Sequence, residues 1–89
     1  MIILKYSQNY LTKRKKFLKN NPPRAEKVIK RLKLFVHNPN HPSLRIEKLK
    51  GNDVWTIRVD KGNRIFFTWE TIRIALLLDI GKHDKYRTY

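Results

Sequence analysis

Apolar and polar residues alternate through the second half of the chain, and the alternation predicts three consecutive strands over 54–59, 64–69 and 72–80. In the first, Trp55, Ile57 and Val59 share a face and oppose Thr56 and Arg58. In the second, Ile65, Phe67 and Trp69 oppose Arg64, Phe66 and Thr68. In the third, Ile72, Ile74, Leu76, Leu78 and Ile80 oppose Arg73, Ala75, Leu77 and Asp79. The expected sheet thus has one large apolar face and one smaller polar face carrying Arg58, Arg64 and Arg73. Asp60-Lys61-Gly62-Asn63 joins the first two strands, with Gly62 expected to supply the left-handed residue of a three-residue hairpin loop. A short basic tail, 81–86, follows the third strand.

The first half changes period. Residues 2–6 read as a short strand, and Ser7 is placed to cap a helix running to about Lys19, because its hydroxyl can accept from an amide of the first turn. Tyr10, Leu11, Phe17 and Leu18 form the inner side of that helix, while Lys13, Arg14, Lys15 and Lys16 lie mostly outside. Asn20-Asn21-Pro22-Pro23 ends it and starts a second helix over 22–36, since proline is tolerated in a first turn and not in an interior. Ala25, Val28, Ile29, Leu32, Phe35 and Val36 make its apolar stripe. A proline-broken loop spans 37–43, and 44–49 reads as a short irregular strand. The helical hairpin is expected to cover the apolar sheet face. That makes an α+β fold: an N-terminal strand, two helices, then a mainly antiparallel sheet of three to four strands.

A chain of 89 residues supports one domain, 1–89, with one modest core. The absence of cysteine excludes a disulfide framework and thiol chemistry. No apolar run reaches the length of a membrane span, and the N-terminal one is too short for a signal peptide, so a cytoplasmic protein without a membrane partner is expected. The formal charge of +14 changes the picture more: it creates a field that gathers polyanions, nucleic acid first among them. A lysine-rich surface serving no partner remains the bland alternative. His37 and His41 are four apart, but Pro39 breaks the helix between them and no acidic or cysteine ligand is near, so neither metal nor cofactor is expected.

The order of elements, together with particular residues, resembles the RelE/ParE superfamily of toxin–antitoxin toxins. The residues are His41-Pro42-Ser43-Leu44, Leu49-Lys50-Gly51, Trp55-Thr56-Ile57-Arg58-Val59, Arg64-Ile65-Phe66-Phe67 and Gly81-Lys82-His83, with Tyr86 three positions on. The resemblance spans nearly the whole chain. It implies two helices backing an antiparallel-dominated sheet, and a cognate acidic antitoxin wrapping the basic surface. For RelE-type members it implies cleavage of mRNA in the ribosomal A site. Gly81-Lys82-His83 resembles the YafQ-like members, whose histidine in that motif is catalytic; RelE carries arginine there. ParE-type members share the fold and poison DNA gyrase, which leaves a non-nucleolytic reading open beside that of a non-catalytic RNA-binding module.

RNA cleavage without a metal needs a base for the ribose 2′-OH, cations for the charge at phosphorus, and an acid for the leaving 5′ oxygen. Histidine suits proton transfer near neutral pH, which makes His83 the expected catalytic imidazole. Arg58 and Arg64, at matching phase on neighbouring strands, are expected to clamp one phosphate; the alternative is a solvated face paired to Asp60 or Asp79. Tyr86 completes the expected catalytic set by stacking on a base, unless it merely anchors the tail with Tyr89. Lys61, Lys82, Lys85, Arg73, Lys13 and Lys16 are expected to contact RNA phosphates, and Phe66 to stack on a base. Phe66 and Leu77 on the open face would otherwise be covered by the tail or by an antitoxin segment folding onto it.

Overall fold

Two capped helices and five strands organise residues 1–84, the part of the chain that the structure, a computed structural model, describes. β1 (Ile3–Tyr6) leads into α1 (Gln8–Leu18) and α2 (Pro22–His37); β2 (Glu47–Lys48), β3 (Trp55–Asp60), β4 (Asn63–Trp69) and β5 (Ile74–Lys82) follow. The sheet order is β1-β5-β4-β3-β2, with β1 parallel to β5 and the other neighbours antiparallel. The α+β arrangement is the expected one. What alternation did not reveal is that β1 closes the sheet beside β5, making five strands in a mixed sheet.

Ser7 Oγ accepts from the Tyr10 amide at 3.0 Å and so caps α1. Asn21 Oδ1 does the same for α2 from Arg24 N at 3.2 Å, with Pro22 and Pro23 in the first turn, where no amide hydrogen is needed. Both helices lie on one sheet face. Tyr10, Val28 and Phe35 pack there against Ile57, Val59, Ile65, Phe67, Ala75, Leu77 and Ile80. The Phe35 ring meets Phe67 edge-on at 5.1 Å and tilts on Trp69 at 5.6 Å. Ile29, expected in the buried stripe, is 54% exposed, because Val28 and Phe35 already fill the line of contact.

Alternation failed in β5, and the reason is local. The pairing runs Ile65↔Ile80, Phe66↔Asp79 and then Phe67↔Leu77, so Leu78 is an extra residue, a β-bulge. Below it Ala75 and Leu77 face the helices, contrary to the expected polar side; above it Ile80 returns to the core. The bulge is anchored: the Leu78 carbonyl accepts from Ser7 Oγ at 3.2 Å and from Asn9 Nδ2 at 2.8 Å, and the Leu77 carbonyl accepts from Ser7 N at 3.0 Å.

The β3–β4 turn also differs. Gly62 does not take a left-handed conformation, whereas Gly51, in the preceding loop, does at φ 85°. Instead Asp60 folds the turn: its Oδ1 accepts from Gly62 N at 3.0 Å and from Asn63 Nδ2 at 2.9 Å.

Candidate functional site

The bulge decides what reaches the face away from the helices. It sets two cross-strand rows on that face near the β3–β4 turn: Glu47, Thr56, Phe66 and Asp79; then Arg58, Arg64 and Gly81; the row of Asp60, Asn63 and Lys82 follows at the turn itself. Thr56, Phe66 and Asp79 are buried and form a floor, with Asp79 Oδ1 accepting from Ile80 N at 2.8 Å. Above that floor Arg58 and Arg64 stand directly opposite each other. Cβ atoms so paired lie about 4.5–5.5 Å apart, and like charges there repel unless an anion sits between them.

The two arginines are held differently. Arg64 Nη1 donates to the carbonyls of Asp60 at 2.7 Å, Asn63 at 2.9 Å and, more weakly, Lys61 at 3.4 Å, which folds its guanidinium over the turn. Among the described residues the Arg58 side chain has no hydrogen-bond or ion-pair partner. Burial alone would raise the pKa of the Asp60 carboxyl, but hydrogen bonds from Asn63 and Gly62 together with the positive Lys27 outweigh it and hold it below the ordinary value.

His83 arrives at the same corner. Its amide donates to the Gly62 carbonyl at 3.0 Å, and the residue is exposed immediately past Lys82, which pairs with Asn63. Lys61 is exposed in the turn itself. Arg58, Lys61, Arg64, Lys82 and His83 are thus brought to one end of the sheet.

Other expected residues are not. Arg73 lies at the opposite end of β5, nine residues from Lys82 and so about 30 Å away. Its carbonyl accepts from Ile3 N at 2.7 Å. Phe66 is 0% exposed, so its ring is floor and not a surface for a base, and Leu77 is core beneath the helices. Lys13 and Lys16 are exposed on α1, where with Phe17 they flank Ile80 from the helix side. Tyr86 and Lys85 lie outside the described residues. Glu47 was missed: its strand is two residues long, too short for alternation to assign a face, and only pairing with Thr56 puts it in a row on the arginine side.

Among the described residues no group of three or more His, Asp or Glu side chains is placed to hold a metal, and no helix is long and apolar enough to cross a membrane. His41 Nδ1 instead accepts from Ser43 N at 3.1 Å and caps a 3-10 turn over Pro42–Leu44.

No family model and no curated protein matches the sequence. Solved structures do match by shape. A chain of the YoeB–YefM complex from Staphylococcus aureus superposes with a TM-score of 0.73 at 20% identity, over 93% of this chain and 98% of that one. YafQ from Escherichia coli gives 0.75 at 12% identity, over 94% and 96%. A YoeB/ParE toxin from Agrobacterium tumefaciens gives 0.73 at 15% identity, over 93% and 99%. YafQ has also been solved in the DinJ–YafQ toxin–antitoxin complex. Helical hairpin, mixed sheet and connectivity together give this chain the fold of the RelE/ParE-superfamily toxins, over nearly its whole length.

Proposed function

We propose that this protein is the toxin of a type II toxin–antitoxin system and an endoribonuclease that cuts mRNA on the ribosome. The observation that carries the reading is the corner where Arg58 and Arg64 oppose each other and His83 is tied to the Gly62 carbonyl beside them. Its support is chemical: two arginines at paired positions on neighbouring strands can share one phosphodiester, and an imidazole at the edge of that pair can move a proton.

The nucleophile is the substrate's own 2′-OH. A base removes its proton, the 2′ oxygen bonds to phosphorus, the bond to the 5′ oxygen breaks, and an acid protonates that oxygen. The products are a 2′,3′-cyclic phosphate and a 5′-OH end. Arg58 and Arg64 stabilise the charge that gathers on the non-bridging oxygens. We assign His83 to one proton and the Glu47 carboxylate, across the arginine row, to the other. Asp60 is the alternative: its Oδ1 serves the turn, and its carboxyl is held below the ordinary pKa. Lys61 and Lys82 add positive field around the same phosphate. An acidic antitoxin is the partner that a charge of +14 calls for, as YefM and DinJ partner YoeB and YafQ in their complexes.

Expression in cells tests this, with primer extension mapping the message ends. The protein should stop growth and leave cuts within translated codons. His83→Ala and Arg64→Ala should each lower cleavage on programmed ribosomes by about 10²–10⁴-fold. Cuts unchanged in both variants would remove the site assignment. Intact messages with double-strand DNA breaks would replace the reading with that of a gyrase poison.

A further inference from the structure

β2 pairs only with Trp55 and Thr56, so beyond Thr56 the outer edge of β3 has no strand partner among the described residues. A concave niche of about 340 Å3 opens there between α2, the 3-10 turn and β3. Its wall carries Lys27 and Arg31 from α2, Arg45 just after the turn and Arg58 from β3, with Asp60 as the one carboxylate. Arg31 is fixed in place: Nε donates to the Val59 carbonyl at 3.4 Å, and Nη1 donates to the Ser43 carbonyl at 3.2 Å and to Ser43 Oγ at 3.1 Å. Ser43 is held in turn by His41 Nδ1. A guanidinium has five N–H donors, so the two on Nη2 remain without a partner among the described residues. The side chains of Lys27, Arg45 and Arg58 likewise form no ion pair or hydrogen bond among the described residues. Asp60 cannot balance four cations, and its Oδ1 already serves the turn. Like charge gathered in a concavity focuses the field and draws in an anion.

We propose that this niche is a second phosphate site, which takes a backbone phosphate of single-stranded RNA adjacent to the one held by Arg58 and Arg64. The inference rests on reading that face as an RNA-cutting site, and it adds Lys27, Arg31 and Arg45 to the residues that grip the substrate. Arg58 belongs to both places, so a strand bound at the arginine pair runs directly over the edge of β3 into the niche. The anchored Arg31 presents donors at a fixed position, suited to a tetrahedral phosphate, while Lys27 and Arg45 contribute charge without base preference.

The test is fluorescence anisotropy of a short labelled oligouridylate across a KCl series, using the whole chain with His83→Ala so that nothing is cut. Lys27→Gln and Arg45→Gln should each reduce the slope of log Kd against log salt by about 0.7, the value for one phosphate contact on a single strand. The double variant should lose about twice that. Lys30→Gln, on the same helix but paired to Glu26 and outside the niche, should leave the slope unchanged. Slopes equal to the parent's in both niche variants overturn the proposal. So does a slope change seen with duplex RNA and absent with the single strand. Should the chain bind in this manner yet cut no message on ribosomes, the nuclease reading fails and the niche stands. Cutting with unaltered slopes fails the niche alone.

Discussion

Arg64 has a structural duty beside the chemical one proposed for it. Its guanidinium bonds three carbonyls of its own turn, whereas that of Arg58 bonds none of the described residues. Loss of activity in an Arg64 variant therefore has to be read beside its melting temperature, while Arg58 reports on phosphate contact more directly. Tyr10 shows the reverse situation, a polar group without a polar duty. Its hydroxyl is buried with no hydrogen-bond partner among the described residues, and the Arg14 guanidinium lies over its ring at 5.6 Å. Burial pushes its pKa from 10.0 up to about 12. The neutral form is the one the fold accepts, so its contribution is complete below pH 10 and is lost as the pH rises towards 12. Urea titrations should show Tyr10→Phe within about 1 kcal/mol of the parent at neutral pH and less sensitive to alkali. A variant as alkali-labile as the parent would show that the phenol is not the sensitive group. At this scale the sequence was legible where chemistry is carried by residue type. Arg58, Arg64 and His83 stand out in the sequence by residue type and by the resemblance they carry, and the structure gathers them at one corner. Phe66 lies on the expected side of the sheet, in the row of Thr56 and Asp79, but it is buried there, because alternation assigns a side without saying what covers it.

Among the elements, β5 and the start of α1 act as one unit. Ser7 uses a single hydroxyl twice, accepting from Tyr10 N and donating to the bulge carbonyl of Leu78. Ser7→Ala removes both bonds and should cost about 1–2 kcal/mol, in the upper part of the range for a helix cap; Asn9, which also reaches Leu78, limits the loss. Denaturant midpoints measure it, and a cost below a few tenths of a kcal/mol would show that the shared hydroxyl does not matter. Both helices, their caps and the faces of β3 and β4 followed from periodicity, since each has an unbroken stripe. The inserted Leu78 has no such mark: it is one leucine among Leu76, Leu77 and Leu78, and all of them suit either side of a sheet. The two-residue β2 has too few positions to display a period. Deleting one residue at the bulge would turn Gly81 and everything after it to the opposite face.

For the molecule as a whole, charge and topology pull in different directions. A formal charge of +14 on 89 residues repels itself, and the ion pairs found among the described residues, Lys5–Glu70 and Lys30–Glu26, are exposed and contribute little. Screening should therefore stabilise the fold. Moving from low to physiological salt should raise the melting temperature by about 4–8 °C for each kcal/mol of repulsion removed. Calorimetry in a salt series checks this, and a melting temperature indifferent to salt would mean the cations are better dispersed than their number suggests. The parallel seat of β1 has a further effect. Ile3 aligns with Ile74, so among the described residues the earliest strand is completed by the latest. Contacts this distant in sequence form late. A nascent chain cannot complete its arginine corner while β5 is still in the exit tunnel, and for the nuclease proposed above that is a delay written into the topology: the corner is not armed until the sheet has closed.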